Sequence, residues 1–194
     1  MSRIVVYDRY PFGDDPGVAP LISGEGARAY YRMGFLYCAQ DALNALLNRT
    51  GSNTSAMPVL FLCRHYVELA LKDVLTAAGA FAIELSDRTF GHELNDLWTE
   101  VSKVLESFGR RDVSVIETAV AELVELDRRA DAFRYATNGK NQPHFERIGA
   151  VDLNALTKTL EVVSALLEEL LDEMERDEAE MDAEIARAVE RDRT

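Results

Sequence analysis

Four polar side chains on one face of an otherwise apolar helix are the residues best suited to chemistry. Arg64, Glu68 and Lys72 are spaced i, i+4 and i+8, and His65 precedes Glu68 by three residues. Residues three and four apart lie on the same helical face, so these groups share an arc of roughly 100°. Two interpretations fit. The stripe is either a phosphate-binding cleft with a histidine for proton transfer, or an internal ladder of ion pairs between helices.

Any reaction that needs an imidazole must use one of three histidines, His65, His92 or His144. His92 stands in the run GHEL, where a local hydrogen bond at a helix start is as good an explanation as a catalytic role. The chain has no C-x-x-C or H-E-x-x-H spacing, no glycine-rich phosphate loop and no nucleophile elbow. We therefore expect neither a metal ion nor a cofactor.

The element that must position the stripe is the segment 58–75, PVLFLCRHYVELALKDVL. Its apolar residues cover well over half of the helical circumference, which is typical of a buried central helix. Pro58 suits the first turn of that helix, after the polar loop 49–57. The sequence therefore predicts a central helix with one polar stripe.

A first helix is predicted over 25–47, before the central one. Cys38 lies in its apolar pattern and Cys63 in that of the central helix, so both are predicted to be small core residues rather than disulfide or metal ligands. The apolar positions of this first helix are Tyr31, Phe35, Cys38, Ala42, Ala45 and Leu46.

Three more helices follow from apolar residues at helical spacing. The third helix starts in GHELNDLW, with His92 in its first turn. The fourth has Asp112 as its N-cap and runs into Arg134 and Tyr135, and the last begins after Asp152 as N-cap. The predicted fold class is all-α, an up-and-down bundle of about five helices with a long C-terminal helix.

The chain divides into three parts, an N-terminal arm (1–24), a helical domain (25–171) and an acidic helical extension (172–194). In the arm only RIVVY has the composition of a strand. The extension is either a helix used for assembly or a frayed acidic tail, and an acidic helix that mimics nucleic acid or docks a basic partner is a third interpretation.

The net charge of −13 argues against a protein that coats nucleic acid with a general basic surface. Much of this charge lies in the extension, so a local positive cleft in the domain is still compatible with the composition. No apolar run approaches the roughly 18 residues of a membrane helix, and the N-terminus has no apolar signal-peptide core. We expect a cytoplasmic protein that does not enter membranes.

Three runs of this sequence resemble HEPN domains: RHYVELALKDVL, GHELNDLW at the start of the next helix, and FRYAT at a helix end. The resemblance covers about residues 25–171. It implies an all-helical, HEPN-like bundle that forms homodimers in a prokaryotic defence or toxin-type system. Many domains of this family are metal-independent ribonucleases in which paired protomers form the active site.

The chemistry implied by the resemblance uses Arg and His to activate a ribose 2′-OH and to stabilise the developing phosphorane charge. The family signature places four to six residues between the Arg and the His, and this chain departs from it. Arg88 and His92 are too close, Arg134 and His144 are too far apart, and Arg64 and His65 are adjacent. If the site is catalytic, Arg134 is expected to act with His144 or His92.

Two functions therefore remain open. The first is a binding and assembly module that recognises a nucleotide, RNA or a partner protein of a defence system. The second is a metal-independent endoribonuclease with an Arg/His site at a dimer interface. The departure from the Arg/His spacing favours the first. Its expected binding residues are Arg64, His65, Glu68, Lys72 and Tyr135.

Overall fold

The computed structural model describes residues 27–81, 83–86, 91–110, 113–127, 130–145 and 149–191. These residues contain an all-α helical bundle with a long C-terminal helix, which confirms the predicted fold class. The arm with RIVVY, and Asp112, lie outside the described residues. The helices are α1 (Ala27–Leu47), α2 (Ala56–Ala78), α3 (Leu94–Ser107), α4 (Ser114–Leu126) and α5 (Leu153–Arg191), with 3-10 turns at Asn53–Ser55 and Gly79–Phe81.

The central helix is α2, as predicted, and it packs against α1, α3 and α5. Pro58 lies in its first turn, where the missing N–H of proline costs no helical hydrogen bond. Each fully buried Val or Leu side chain of α2 contributes roughly 1.5–3 kcal/mol to folding. The apolar residues that α2 buries are Val59, Leu60, Cys63, Tyr66, Val67, Ala70, Leu71, Val74, Leu75 and Ala78.

The buried face of α1 overlaps the predicted one only in part: Leu46 is buried and Phe35 and Ala42 are half-buried against the core. Tyr31 is 55% exposed and Cys38 is exposed, so the prediction of Cys38 as a core residue is wrong, whereas that of Cys63 is confirmed. The buried face of α1 contains the charged Arg32, which a search for apolar periodicity leaves out. The buried residues of α1 are Arg32, Leu36, Ala39, Leu43 and Leu46.

Helices α3 and α4 are both shorter than predicted. α3 begins at Leu94, so His92 precedes the helix instead of lying in its first turn. α4 ends at Leu126 and does not reach Arg134 or Tyr135. Asp127 explains this end. Its Oδ1 atom accepts hydrogen bonds from the backbone N–H groups of Asp131 and Ala132, and such local bonds favour a turn over further helix.

Helix α5 begins where it was predicted to begin. The Oδ1 atom of Asp152 accepts hydrogen bonds from the backbone N–H groups of Asn154 (2.9 Å) and Ala155 (3.1 Å), which confirms it as the N-cap. The helix continues to Arg191, about 25 Å past its last buried residue, Met174. The extension is therefore helical up to Arg191. No helix among the described residues is long and apolar enough to cross a membrane.

Candidate functional site

The centre of the polar stripe is the carboxylate of Glu68, which is only 1% exposed. Its Oε2 atom accepts a hydrogen bond from Nη1 of Arg64 at 2.8 Å. Its Oε1 atom accepts one from Nζ of Lys72 at 2.8 Å and lies 2.7 Å from Nδ1 of His92. A buried carboxylate is tolerated only when its charge is paired and its lone pairs are hydrogen-bonded. We call Glu68, Arg64, Lys72 and His92 the ion-pair cluster.

Arg64 connects three parts of the chain. Its Nε atom donates to the backbone carbonyl of Asp127 at 3.1 Å, and its Nη2 atom donates to the carbonyl of His92 at 2.8 Å. The same Nε lies 3.8 Å from Oδ2 of Asp127, whose Oδ1 accepts the N–H groups of Asp131 and Ala132. Arg64 is 1% exposed, so its guanidinium is fully used inside the protein. This part of the stripe is the internal ladder of ion pairs.

The ion-pair cluster keeps Glu68 ionised. Burial raises the pKa of a carboxyl group, but the hydrogen bonds from Lys72, His92 and Arg64 outweigh burial and hold the pKa of Glu68 below its ordinary value. At neutral pH the carboxylate is therefore negative, and it attracts the cations that surround it.

His92 is the exposed end of the ion-pair cluster. Its side chain is 73% exposed, although Nδ1 is held by the buried carboxylate of Glu68. Because an ionised carboxylate only accepts hydrogen bonds, Nδ1 carries the proton and Nε2 is the acceptor of the neutral ring. An exposed imidazole fixed in one tautomer by a carboxylate is suited to accept a proton from a bound molecule.

A second group of side chains continues the same face of α2 toward its N-terminus. The ring of His65 stacks on Phe61 with centroids 5.4 Å apart, and it forms a T-shaped pair with the ring of Phe35 of α1, with centroids 4.3 Å apart. The guanidinium of Arg134 lies 5.8 Å from the centroid of Phe61 and 5.4 Å from that of Tyr135, which is 58% exposed. We call Phe35, His65, Phe61, Arg134 and Tyr135 the stacking column.

The stacking column and the ion-pair cluster influence each other. Burial lowers the pKa of His65, and the positive charges of Lys72, Arg64 and His92 lower it further, while Glu68 opposes them. His65 is therefore held in its neutral form more firmly than an exposed histidine.

The predicted site residues fall into two groups. Arg64, Glu68, Lys72 and His92 lie together in the ion-pair cluster. His65, Arg134 and Tyr135 lie in the stacking column, which Phe61 joins. The predicted catalytic pairs do not meet. Arg134 reaches α2 at Phe61 and His92 reaches it at Glu68, about 10 Å further along the helix axis.

His144 and Arg134 both contact the turn at residues 130–131, but no described contact joins their side chains. The Nε2 atom of His144 lies 4.0 Å from Oδ2 of Asp131, while Nε of Arg134 donates to the carbonyl of Ala130 and its backbone N–H donates to the carbonyl of Asp131 at 3.2 Å. Arg88 lies outside the described residues. Within one protomer, the described contacts therefore give no Arg/His pair of the family type.

Sequence reasoning missed Phe61, Phe35 and Asp127. Phe61 precedes His65 by one turn of helix, so its place on the stripe was readable, but a phenylalanine there is indistinguishable from a core residue. Phe35 lies on another helix, α1, and Asp127 lies in the turn after α4. The spacing of residues along α2 therefore carries no signal for either of them.

The described residues contain no group of three or more His, Cys, Asp or Glu side chains arranged to hold a metal ion. Comparison of the chain with models of protein families, with curated proteins and with solved structures found no match. The function must therefore be argued from the geometry of the ion-pair cluster and the stacking column.

We expect Glu68→Ala to destabilise the protein by about 3–5 kcal/mol, because it leaves Arg64 buried without its carboxylate. Urea unfolding measures this free energy, and the exposed Glu125→Ala in α4 is the matched control, with an expected change below about 0.5 kcal/mol. If Glu68→Ala lowered the free energy of unfolding as little as the control does, the ladder of ion pairs would not contribute to the stability of the core.

We expect His65→Phe to reduce the loss of stability on acidification from about pH 7 to pH 5. The folded-state pKa of His65 lies below the unfolded value of about 6.5. The unfolded chain therefore binds the proton first, and stability falls as the pH drops through this window. The pKa of Glu68 is also held below its ordinary value, so its contribution to stability is lost only at lower pH. Equal losses for the variant and the wild type in urea unfolding at both pH values would contradict this prediction.

Proposed function

We propose that this chain is a HEPN-like binding module that recognises single-stranded RNA through the stacking column. The main support is the position of the Arg134 guanidinium, which lies against the rings of Phe61 and Tyr135 at the exposed end of the column. Unpaired bases stack on arginine planes and aromatic rings, and such stacking is how proteins hold single strands. The sequence resemblance supports a homodimer in a cytoplasmic defence or toxin-type system of a prokaryote.

The charges of the site favour stacking over general phosphate binding. Arg64 and Lys72 both pair with Glu68, Arg64 also lies 3.8 Å from the carboxylate of Asp127, and Arg64 is buried. The described contacts of the Arg134 guanidinium are two rings and a backbone carbonyl, so its charge is available to a phosphate. We therefore infer that few cations of the protein contact phosphates. For single strands, the slope of log affinity against log salt concentration is about −0.7 for each phosphate neutralised, so the affinity for RNA depends weakly on salt.

A metal-independent ribonuclease is the second candidate, favoured by the hydrogen bond between Glu68 and the exposed His92. In that reaction Nε2 of His92 would accept the proton of a ribose 2′-OH. The 2′-oxygen then attacks the adjacent phosphorus and the bond to the 5′-oxygen breaks. The 5′-oxygen takes a proton from solvent and leaves as a hydroxyl, which gives a 2′,3′-cyclic phosphate. Arg134 is distant along α2 in the same protomer. A second cation for the phosphorane would therefore come from the other protomer of the homodimer.

We expect Arg134→Ala and Tyr135→Ala each to weaken binding of a short fluorescent single-stranded RNA by about 5- to 100-fold, because each removes a stacking plane. Fluorescence anisotropy measures the dissociation constant. The control is Tyr37→Ala. It removes an equally exposed tyrosine (57%) from the side of α1 opposite Phe35, away from the stacking column. Unchanged affinity in both variants, or an equal loss in the control, would refute the binding site.

Cleavage of the same RNA in EDTA decides between the two functions. If the protein is a ribonuclease, we expect a 2′,3′-cyclic phosphate product and a loss of about 100-fold or more in rate for His92→Ala, since general base catalysis is worth about that much. The product is identified by mass spectrometry. RNA that is bound but stays intact identifies the binding module.

A further inference from the structure

A cavity of about 270 Å³ lies between α2, α4 and α5. Protein interiors contain few voids larger than a water molecule, so a cavity of this size is more than an ordinary packing gap. Its lining is mainly apolar, with contributions from all three helices. Among the buried residues that line it are Leu60, Cys63, Val67, Leu123, Leu160 and Val163.

A second cavity, of about 810 Å³, adjoins the first. Met57 lines it, as do the stacked rings of Phe133 and Phe145, whose centroids are 6.5 Å apart. From Met57 to Val67, the α2 residues of the two cavities span about 15 Å along the helix axis. We call the two cavities together the apolar groove. Four residues line both cavities: Leu60, Leu126, Ala150 and Val151.

The charged groups at the apolar groove are carboxylates. Glu122 of α4 and Asp152 before α5 line the first cavity, and both residues are exposed, so they form part of its rim. Glu122 forms no ion pair with another described residue, so its charge is available to a bound molecule. No Lys, Arg or His is among the described residues that line either cavity. The groove therefore combines a long apolar surface with a negative rim.

We propose that the apolar groove binds a single-chain amphiphile, an unbranched alkyl chain with a cationic amine head. Ligand sites are mostly apolar, and a few polar groups fix the orientation of the ligand. The alkyl chain lies along α2 between Val67 and Met57, and the ammonium group pairs with Glu122 at the rim. A fatty acid of the same length is a poorer ligand, because its carboxylate meets like charges there.

This site is separate from that of the proposed function. No residue of the ion-pair cluster or of the stacking column is among the described residues that line the apolar groove. Leu60 faces the groove, whereas the next residue, Phe61, contacts His65 and Arg134. The inference therefore does not rest on RNA binding, and either proposal can fail without the other.

Isothermal titration calorimetry of the full chain tests the ligand class with three probes, each below its micelle concentration. We expect dodecylammonium to bind, and dodecanoate, which has the same chain length, to bind at least 5-fold more weakly because its charge is reversed. We expect decylammonium to bind about 10-fold more weakly than dodecylammonium. Each methylene group that enters an apolar site strengthens binding about fourfold, and decylammonium has two fewer.

A large side chain in the lining tests the location. Ala155 of α5 lines the groove and is exposed, so Ala155→Phe obstructs the groove without changing a buried residue. We expect it to weaken dodecylammonium binding at least 10-fold. Ala165→Phe is the matched control, because Ala165 is also exposed on α5 and is not part of the lining. Thermal unfolding of both variants checks that they are folded.

Removing the charge of Glu122 tests how the head group is recognised. We expect Glu122→Gln to weaken dodecylammonium binding about 2- to 5-fold, the range for exposed charge pairs, and to reduce the preference over dodecanoate. Glu125→Gln, which changes an exposed carboxylate of α4 outside the lining, is expected to leave both affinities unchanged.

Three results overturn the proposal. The first is a full chain that binds no dodecylammonium, which includes the case in which the N-terminal arm fills the groove. The second is equal binding by Ala155→Phe and Ala165→Phe, which places the amphiphile elsewhere. The third is dodecanoate that binds as tightly as dodecylammonium, which contradicts a cationic head group.

Discussion

The structure depends on one buried carboxylate, that of Glu68, which is shared by Arg64, Lys72 and His92. Removing an ion from water costs several kcal/mol, so this charge persists in the core only because three donors surround it. The same donors belong to different parts of the chain. Arg64 also binds the carbonyl groups of His92 and Asp127, and so holds the segment before α3 and the end of α4 against α2.

A second ion-pair group fixes another side of α2. Arg32 of α1 donates from Nε and Nη2 to the two carboxylate oxygens of Glu168, at 2.9 and 2.8 Å, and it also pairs with Asp73. The hydroxyl of Tyr66 donates to Glu168 at 3.0 Å. These contacts join α1, α2 and α5. Phe35, Phe61 and His65 of the stacking column therefore lie on helices joined by these ion pairs, whereas Arg134 and Tyr135 lie in the segment after α4.

The sequence predicted what depends on local spacing. It indicated α2 as the central helix, the polar stripe on it and the cap at Asp152, because periodicity and capping act over a few residues. It placed the buried face of α1 only partly, since the buried Arg32 pairs with Glu168, which lies 136 residues away. It extended α4 too far because the turn after Leu126 is made by the side chain of Asp127. Neither cause leaves a pattern in the neighbouring residues.

The central claim is the proposal that single-stranded RNA binds at the stacking column. His65 is its natural reporter, because its ring stacks on Phe61 inside the column. Imidazole resonances in a proton and nitrogen NMR titration with a short single-stranded RNA test the claim most directly. The account predicts that the signal of His65 shifts as RNA is added. An unmoved His65 signal at saturating RNA would contradict it.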